Sequence, residues 1–145
     1  MDSLQINSSV KRLAINDDPT RIISFDPGDV TFAERFYALM REFQTRMAEY
    51  QARASELEAD QAVDLNGIPI NAAERIAVTR EACMYIRERI DYLFGTGTSQ
   101  TAFGDALSMD AFEQFFTGIT PFISAAREEK ILKYANQQNA GRVMK

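Results

Sequence analysis

From Ala33 to Leu57 the residues Ala33, Phe36, Met40, Phe43, Met47, Tyr50, Ala54 and Leu57 alternate spacings of three and four. That is the a/d seam of a helix packed lengthwise on another helix, and it excludes a strand, whose apolar positions recur every second residue. Phe32 and Leu39 widen the stripe in its first half, whereas Arg46 and Arg53 hold the equivalent places in the second. The first half is therefore expected to face a broad core and the second a single partner helix. The helix is expected to open at a capping box, Thr31 with Glu34 three residues on, after the turn "DPGD" at 26–29.

The partner is expected close by in sequence. After the turn signal Asn66-Gly67, Asn71 and Glu74 repeat the capping signature, and Ile76, Thr79, Cys83, Ile86, Ile90 and Leu93 repeat the three-four spacing. A loop of roughly ten residues suits an antiparallel hairpin over 30–94. In the simplest register Phe43 and Met47 face Thr79 and Cys83, Ala54 and Leu57 meet Ala72 and Ile76 at the tip, and Ala33 and Phe36 meet Ile90 and Leu93 at the base. An intermolecular coiled coil would carry the same repeat, but ordinary bundles use this packing too.

Residues 1–29 differ from the rest. "LQINSSVKRLAIN" and "RIISFD" alternate apolar and polar residues about the turn-forming "NDDPT", a pattern for two or three short strands. So small a meander must lean on the helices, through Leu13, Ile15, Ile23 and Phe25. Residues 95–107 form a connector. Ser108 is an expected N-cap for helices over 108–138, interrupted at Gly118 and restarted by Thr120-Pro121, with 139–145 as a flexible tail. The expected fold is mainly α: a helical hairpin and C-terminal helices with a small N-terminal β-meander, one domain over 1–138.

Composition narrows the chemistry. The 145 residues contain no histidine, which removes the commonest general base and the usual zinc ligand sets. Cys83, the one cysteine, has no internal disulfide partner and is expected to pack as a small hydrophobe. A net charge of -5 offers no general field for a phosphate backbone, so nucleic acid is not an expected partner. No apolar run approaches the ~20 residues of a membrane span, and the N-terminus lacks the pattern of a signal peptide.

One stretch invites an enzymatic reading. "FGTGTSQT" places Gly95 and Gly97 among hydroxyl residues, as in loops that cradle phosphate. Yet the third glycine position is Gln100, a helix precedes the loop, and no Gly-Lys-Ser/Thr follows, so Gly95–Ser99 reads as a connector with Gly95 ending a helix. "DLNG" at 64–67 fails as a calcium loop, because Ala62 and Ala73 stand where the first and twelfth ligands belong. No catalytic, cofactor-binding or metal-binding residue is expected. The aromatic run Phe112, Phe115, Phe116 and Phe122 either fills the core or provides a partner-binding face, and these four residues are the sequence's candidates for that face.

The segments "ISFDPGDVTFAERFYAL", "DLNGIPINAAE" and "LFGTGTSQTAFGDALSMDAFEQFFTGITPFI" resemble the tail assembly chaperones of long-tailed phages and prophages of Gram-positive bacteria. The resemblance runs from about Ile23 to about Tyr134. It implies a non-catalytic protein of the bacterial host cytoplasm that binds the tape measure protein until tail-tube subunits polymerise around it. It also implies a tail tube protein as a second partner through a frameshifted, extended product, with self-association open. The alternatives are a structural tail or head-tail completion protein retained in the virion, and an enzyme using Gly95–Ser99 on a phosphorylated ligand.

Overall fold

The computed structural model describes the backbone of residues 1–143 and the side chains through Glu128. Two strands, β1 (Lys11–Ile15) and β2 (Asp18–Phe25), precede helices α1 (Val30–Ala59), α2 (Ala72–Phe94), α3 (Thr98–Phe103) and α4 (Met109–Val143). The protein is mainly helical with a small antiparallel sheet, as the sequence pattern requires.

The sheet is a hairpin whose turn residues, Asn16 and Asp17, both take positive φ, 52° and 61°, a conformation that asparagine and aspartate tolerate better than most residues. Leu13 pairs with Ile23, but Ile15 already pairs with Asp18, so β2 bulges through Pro19–Arg21. The Asp18 carboxylate stabilises the bulge by accepting from the Thr20 amide and hydroxyl, at 2.9 and 2.7 Å. Those bonds, the hydroxyl first, hold its carboxyl below the ordinary carboxylate range. Ile23 and Phe25 are buried, and Leu13 and Ile15 pack partly buried beside them, as expected.

Helix α1 starts one residue before the expected capping box. Asp29 is the N-cap, its carboxylate accepting from the Thr31 amide at 2.8 Å, a stronger acceptor at the positive helix end than a hydroxyl. Ser108 does cap α4, accepting from the Ala111 amide at 3.2 Å. α4 then runs unbroken through Gly118 and Pro121, where the sequence suggests an interruption. Pro121 and Thr117, the residue whose carbonyl loses its donor, are both exposed, so water can solvate that carbonyl. α4 continues through Val143, into the segment expected as a loose tail; residues 144–145 lie outside the described residues.

α1 and α2 are antiparallel. Along the pair, Glu42 meets Arg89, Phe43 meets Tyr85, Arg53 meets Glu81 and Leu57 meets Arg75. α1 behaves as its pattern dictates, with a wide buried stripe through Ala33, Phe36 and Leu39 and a narrow one through Met47, Tyr50, Ala54 and Leu57. α2 departs from the expected register. Ile76 and Thr79 are exposed, and Val78 and Ala82 take their place against Tyr50. Going back from Leu93 by about 3.6 residues per turn reaches the Arg89–Ile90 boundary, then Ile86, Ala82, the Val78–Thr79 boundary and Arg75; a strict 3.5 repeat overestimates how long Thr79 and Ile76 stay on the seam.

Beneath this arm lies the main core: Ile23 and Phe25 from β2, Phe36 and Leu39, Cys83, Ile86, Ile90 and Leu93, Ala102, and Phe112, Phe115, Ile119 and Ile123 from α4. Cys83 is 0% exposed, and burial pushes its thiol up, as expected of an inert core cysteine. Edge-to-face aromatic contacts tie the layers together. Phe94 meets Phe25 at 5.6 Å and Phe115 at 5.2 Å, while Phe103 meets Phe112 at 4.8 Å.

Candidate interaction site at the arm tip

The aromatic run on α4 is mostly core. Phe112 is 2% exposed and Phe115 is buried, so neither is available to a partner without unfolding, which corrects their assignment to a binding face. Phe116 packs half-buried on Phe43 at 5.3 Å. Phe122 is 37% exposed and leans edge-on toward Phe25. The reason is spacing: Phe112, Phe115, Ile119 and Ile123 share one stripe of a helix, and that stripe faces β2 and α2. Beside it an apolar groove of about 300 Å³ runs between β1 and α4, lined among others by Leu13, Ile15, Phe115, Gly118 and Ile119.

The stretch 95–107, expected as a connector, holds a short helix: residues 95–97 link α2 to α3, and Thr98 and Ser99 are already helical. Gly95, at φ 115°, ends α2 with its amide donating to the Asp91 carbonyl at 2.9 Å, and Gly97 is left-handed at φ 91°. The Thr98 amide is engaged by the Gly95 carbonyl, and the Ser99 amide by the Asp91 carboxylate at 2.8 Å. An anionic side chain thus stands where a phosphate would have to sit.

Exposed apolar side chains gather in two places: residues 1–10, through Met1, Leu4, Ile6 and Val10, which precede the first strand, and the far end of the hairpin, in the loop 60–71, where a hydrogen-bonded scaffold presents them. Asp60 accepts from the Ala62 amide, the Asp64 amide donates to the Ile68 carbonyl at 2.8 Å, and the Ile70 amide donates to the Ala62 carbonyl at 3.0 Å. Val63 and Pro69 form an antiparallel bridge within this clip. The Asp64 carboxylate accepts from the Asn66 and Ile68 amides at 2.8 and 3.0 Å, closing the turn over Gly67, whose φ of 77° favours glycine. With these backbone groups paired inside the loop, the aliphatic side chains point away from it. Leu65 is 105% exposed, at the apex; Ile70 is 69% and Ile76 68% exposed, with Val63 and Ile68 beside them.

The loop is anchored to both helices. Arg75 donates to the Leu57 carbonyl at 3.2 Å and the Asp60 carbonyl at 2.9 Å, satisfying the C-terminal end of α1 with a cation. Asn71, expected to cap α2, makes no side-chain cap; its amide donates to the Leu57 carbonyl at 2.8 Å and its oxygen accepts from Arg75 at 2.7 Å. The tip is therefore a fixed apolar knob. Each aliphatic side chain left in water forgoes about 1.5–3 kcal/mol that full burial would contribute, and a cluster of them on a hydrogen-bonded loop is the usual mark of an interface.

A model of the family of unknown function DUF6673 matches residues 20–145. The chain belongs to that family. No curated protein and no solved structure matches it. The DUF6673 match includes the tip loop, the clasp of Asn71 and Arg75 and the whole α4 stripe, and starts inside β2, leaving β1 outside. Among the described residues, no helix is long and apolar enough to cross a membrane.

The sequence carries the signal for this site in plain view. Val63, Leu65, Ile68 and Ile70 sit where the helical periodicity lapses, around a turn signal, and Ile76 lies about one turn into α2. Five aliphatic residues in and beside a loop demand either a core to enter or a partner to meet.

Proposed function

We propose that this DUF6673 member is a non-catalytic assembly chaperone of phage tail morphogenesis, acting in the bacterial host cytoplasm. It binds the tape measure protein and keeps its amphipathic helices in solution until tube subunits assemble around them. The observation that carries this reading is the rigid, solvent-exposed apolar knob at the end of a helical arm, supported by the resemblance of its segments to the tail assembly chaperones. A chaperone must offer apolar surface without aggregating, and the net charge of -5 keeps a chain with such a knob dispersed. The contact face is the tip loop, in place of the buried Phe112 and Phe115.

Co-expression with fragments of the tape measure protein encoded by the same phage tests the proposal. Fragments that precipitate alone are expected to stay soluble and co-purify with the chain. Failure of every fragment to bind overturns the proposal.

A further inference from the structure

The surroundings of the tip are as uneven as its apex. Between Ala54 and Thr79 the chain carries five acids, Glu56, Glu58, Asp60, Asp64 and Glu74, all exposed, and a single basic residue, Arg75. That arginine is engaged with the Leu57 and Asp60 carbonyls and the Asn71 side chain. An exposed aliphatic apex thus stands in a segment with five carboxylates, two of which, Asp60 and Asp64, also hold loop amides, and with one cation, which is turned inward.

We propose that the tip docks, apex first, on the apolar stripe of an amphipathic partner helix flanked by lysine and arginine. This rests on the reading of the tip as the binding surface and adds the chemistry of what it binds. Leu65, Ile68 and Ile70 cover the stripe, and the carboxylates meet cations on either side of it. Burial of the aliphatics supplies the affinity, while charge matching sets orientation and encounter rate. The same carboxylates disfavour other occupants. Anionic lipid headgroups and nucleic acid are repelled, and two tips from two copies repel each other.

The test uses the full chain and a fluorescent synthetic helix of about 20 residues, enough for several turns, with a leucine stripe flanked by lysines. A second peptide carries glutamates at the flanks. The lysine peptide is expected to bind at least about tenfold more tightly than the glutamate peptide, and to weaken on raising salt from about 0.05 to about 0.5 M. The double variant Leu65→Ser/Ile70→Ser is expected to lose about tenfold or more, with an unchanged circular dichroism spectrum. Equal binding of the two peptides overturns the charge complementarity, and undiminished binding by the double variant overturns the site. Tip-dependent partitioning into neutral phosphatidylcholine vesicles without peptide binding overturns the proposal in favour of lipid. The tape measure co-expression is scored separately. Capture of tape measure fragments by the double variant sinks the tip and leaves the chaperone reading standing; lysine-peptide binding with no tape measure capture does the reverse.

Discussion

The base of the molecule and the arm that rises from it hold the same two helices together by different chemistry. At the base, α1 and α2 are enclosed by β2, α3 and α4, and the contact is a continuous apolar core centred on Phe36, Ile90 and Phe112. In the arm nothing else covers the pair among the described residues, and the apolar seam narrows to Met47, Tyr50, Ala54 and Leu57 against Val78 and Ala82. Arginines flank that seam. Arg46 stacks over Tyr85 at 4.7 Å, Arg53 pairs with Glu81 at 2.9 Å and stands over Tyr50 at 5.8 Å, and Arg75 closes the end of α1. The base follows the rule that stability comes from buried area. The arm shows how a helix pair projects into solvent: a thin apolar seam, long cationic side chains laid over its rims, and a terminus satisfied by a guanidinium.

The largest effect should come from the base. Phe112→Ala removes a ring that is almost fully buried against Phe103 and is expected to cost about 3–5 kcal/mol in urea unfolding. A loss as small as that of a surface substitution would mean that α4 is not docked as described. Phe43 stands at the border between the two regimes, half-buried between Tyr85 at 5.8 Å and Phe116 at 5.3 Å. Its replacement by Ala is expected to cost less, about 2 kcal/mol, because part of the ring already faces water.

The arm should respond locally. Arg75→Ala removes the donors to the Leu57 and Asp60 carbonyls and is expected to cost about 1–2 kcal/mol, since charge-assisted bonds are the stronger ones. Hydrogen exchange should show the loss as faster exchange in the tip and adjoining helix turns, with the base amides little changed. Uniform loss of protection would erase the distinction between arm and base.

Tyr85 probes the junction through pH. Burial first, and the neighbouring Glu42 carboxylate next, push its phenol up to about 12. The folded state therefore holds the phenolic proton more tightly than the unfolded chain. The contribution is intact below the ordinary value of 10.0 and is lost as pH rises from there toward about 12. Over that window the melting temperature of the parent protein is expected to fall more steeply than that of Tyr85→Phe.

Much of this contrast is legible in the sequence. The wide-then-narrow stripe of α1 announces a base and an arm, because the place Leu39 holds is taken by Arg46 and Arg53 about two and four turns later. Leu13, Ile15, Ile23 and Phe25 face inward as strand alternation requires. What misleads are places where a local rule meets a tertiary choice. Pro121 signals a helix start, yet its exposed position lets α4 pass through. Asn71 signals a cap, yet its amide reaches across to Leu57. Phe112 and Phe115 read equally well as core or as surface, because a helix stripe does not say what faces it. The tip is legible by composition and not by periodicity: periodicity scores a loop as blank, so its aliphatic residues show only when the loop is read by itself.

The smallest expected change in stability belongs to the most conspicuous side chain. Leu65 is wholly exposed, so Leu65→Ser removes apolar surface that contributes nothing to the core, and the unfolding free energy should shift by no more than about 0.5 kcal/mol. The loop around it stays closed because its hydrogen bonds come from the backbone and from Asp64, not from Leu65. If the arm exists to carry this knob, the same substitution should weaken partner capture more than Phe122→Ser does, since Phe122 already leans on Phe25. The decisive measurement pairs urea unfolding with partner pull-down on both variants. A Leu65→Ser protein that is stable and still binds fully would leave the arm without its purpose. One that is markedly destabilised would show that the apex is a structural element and that the line between base and arm is drawn in the wrong place.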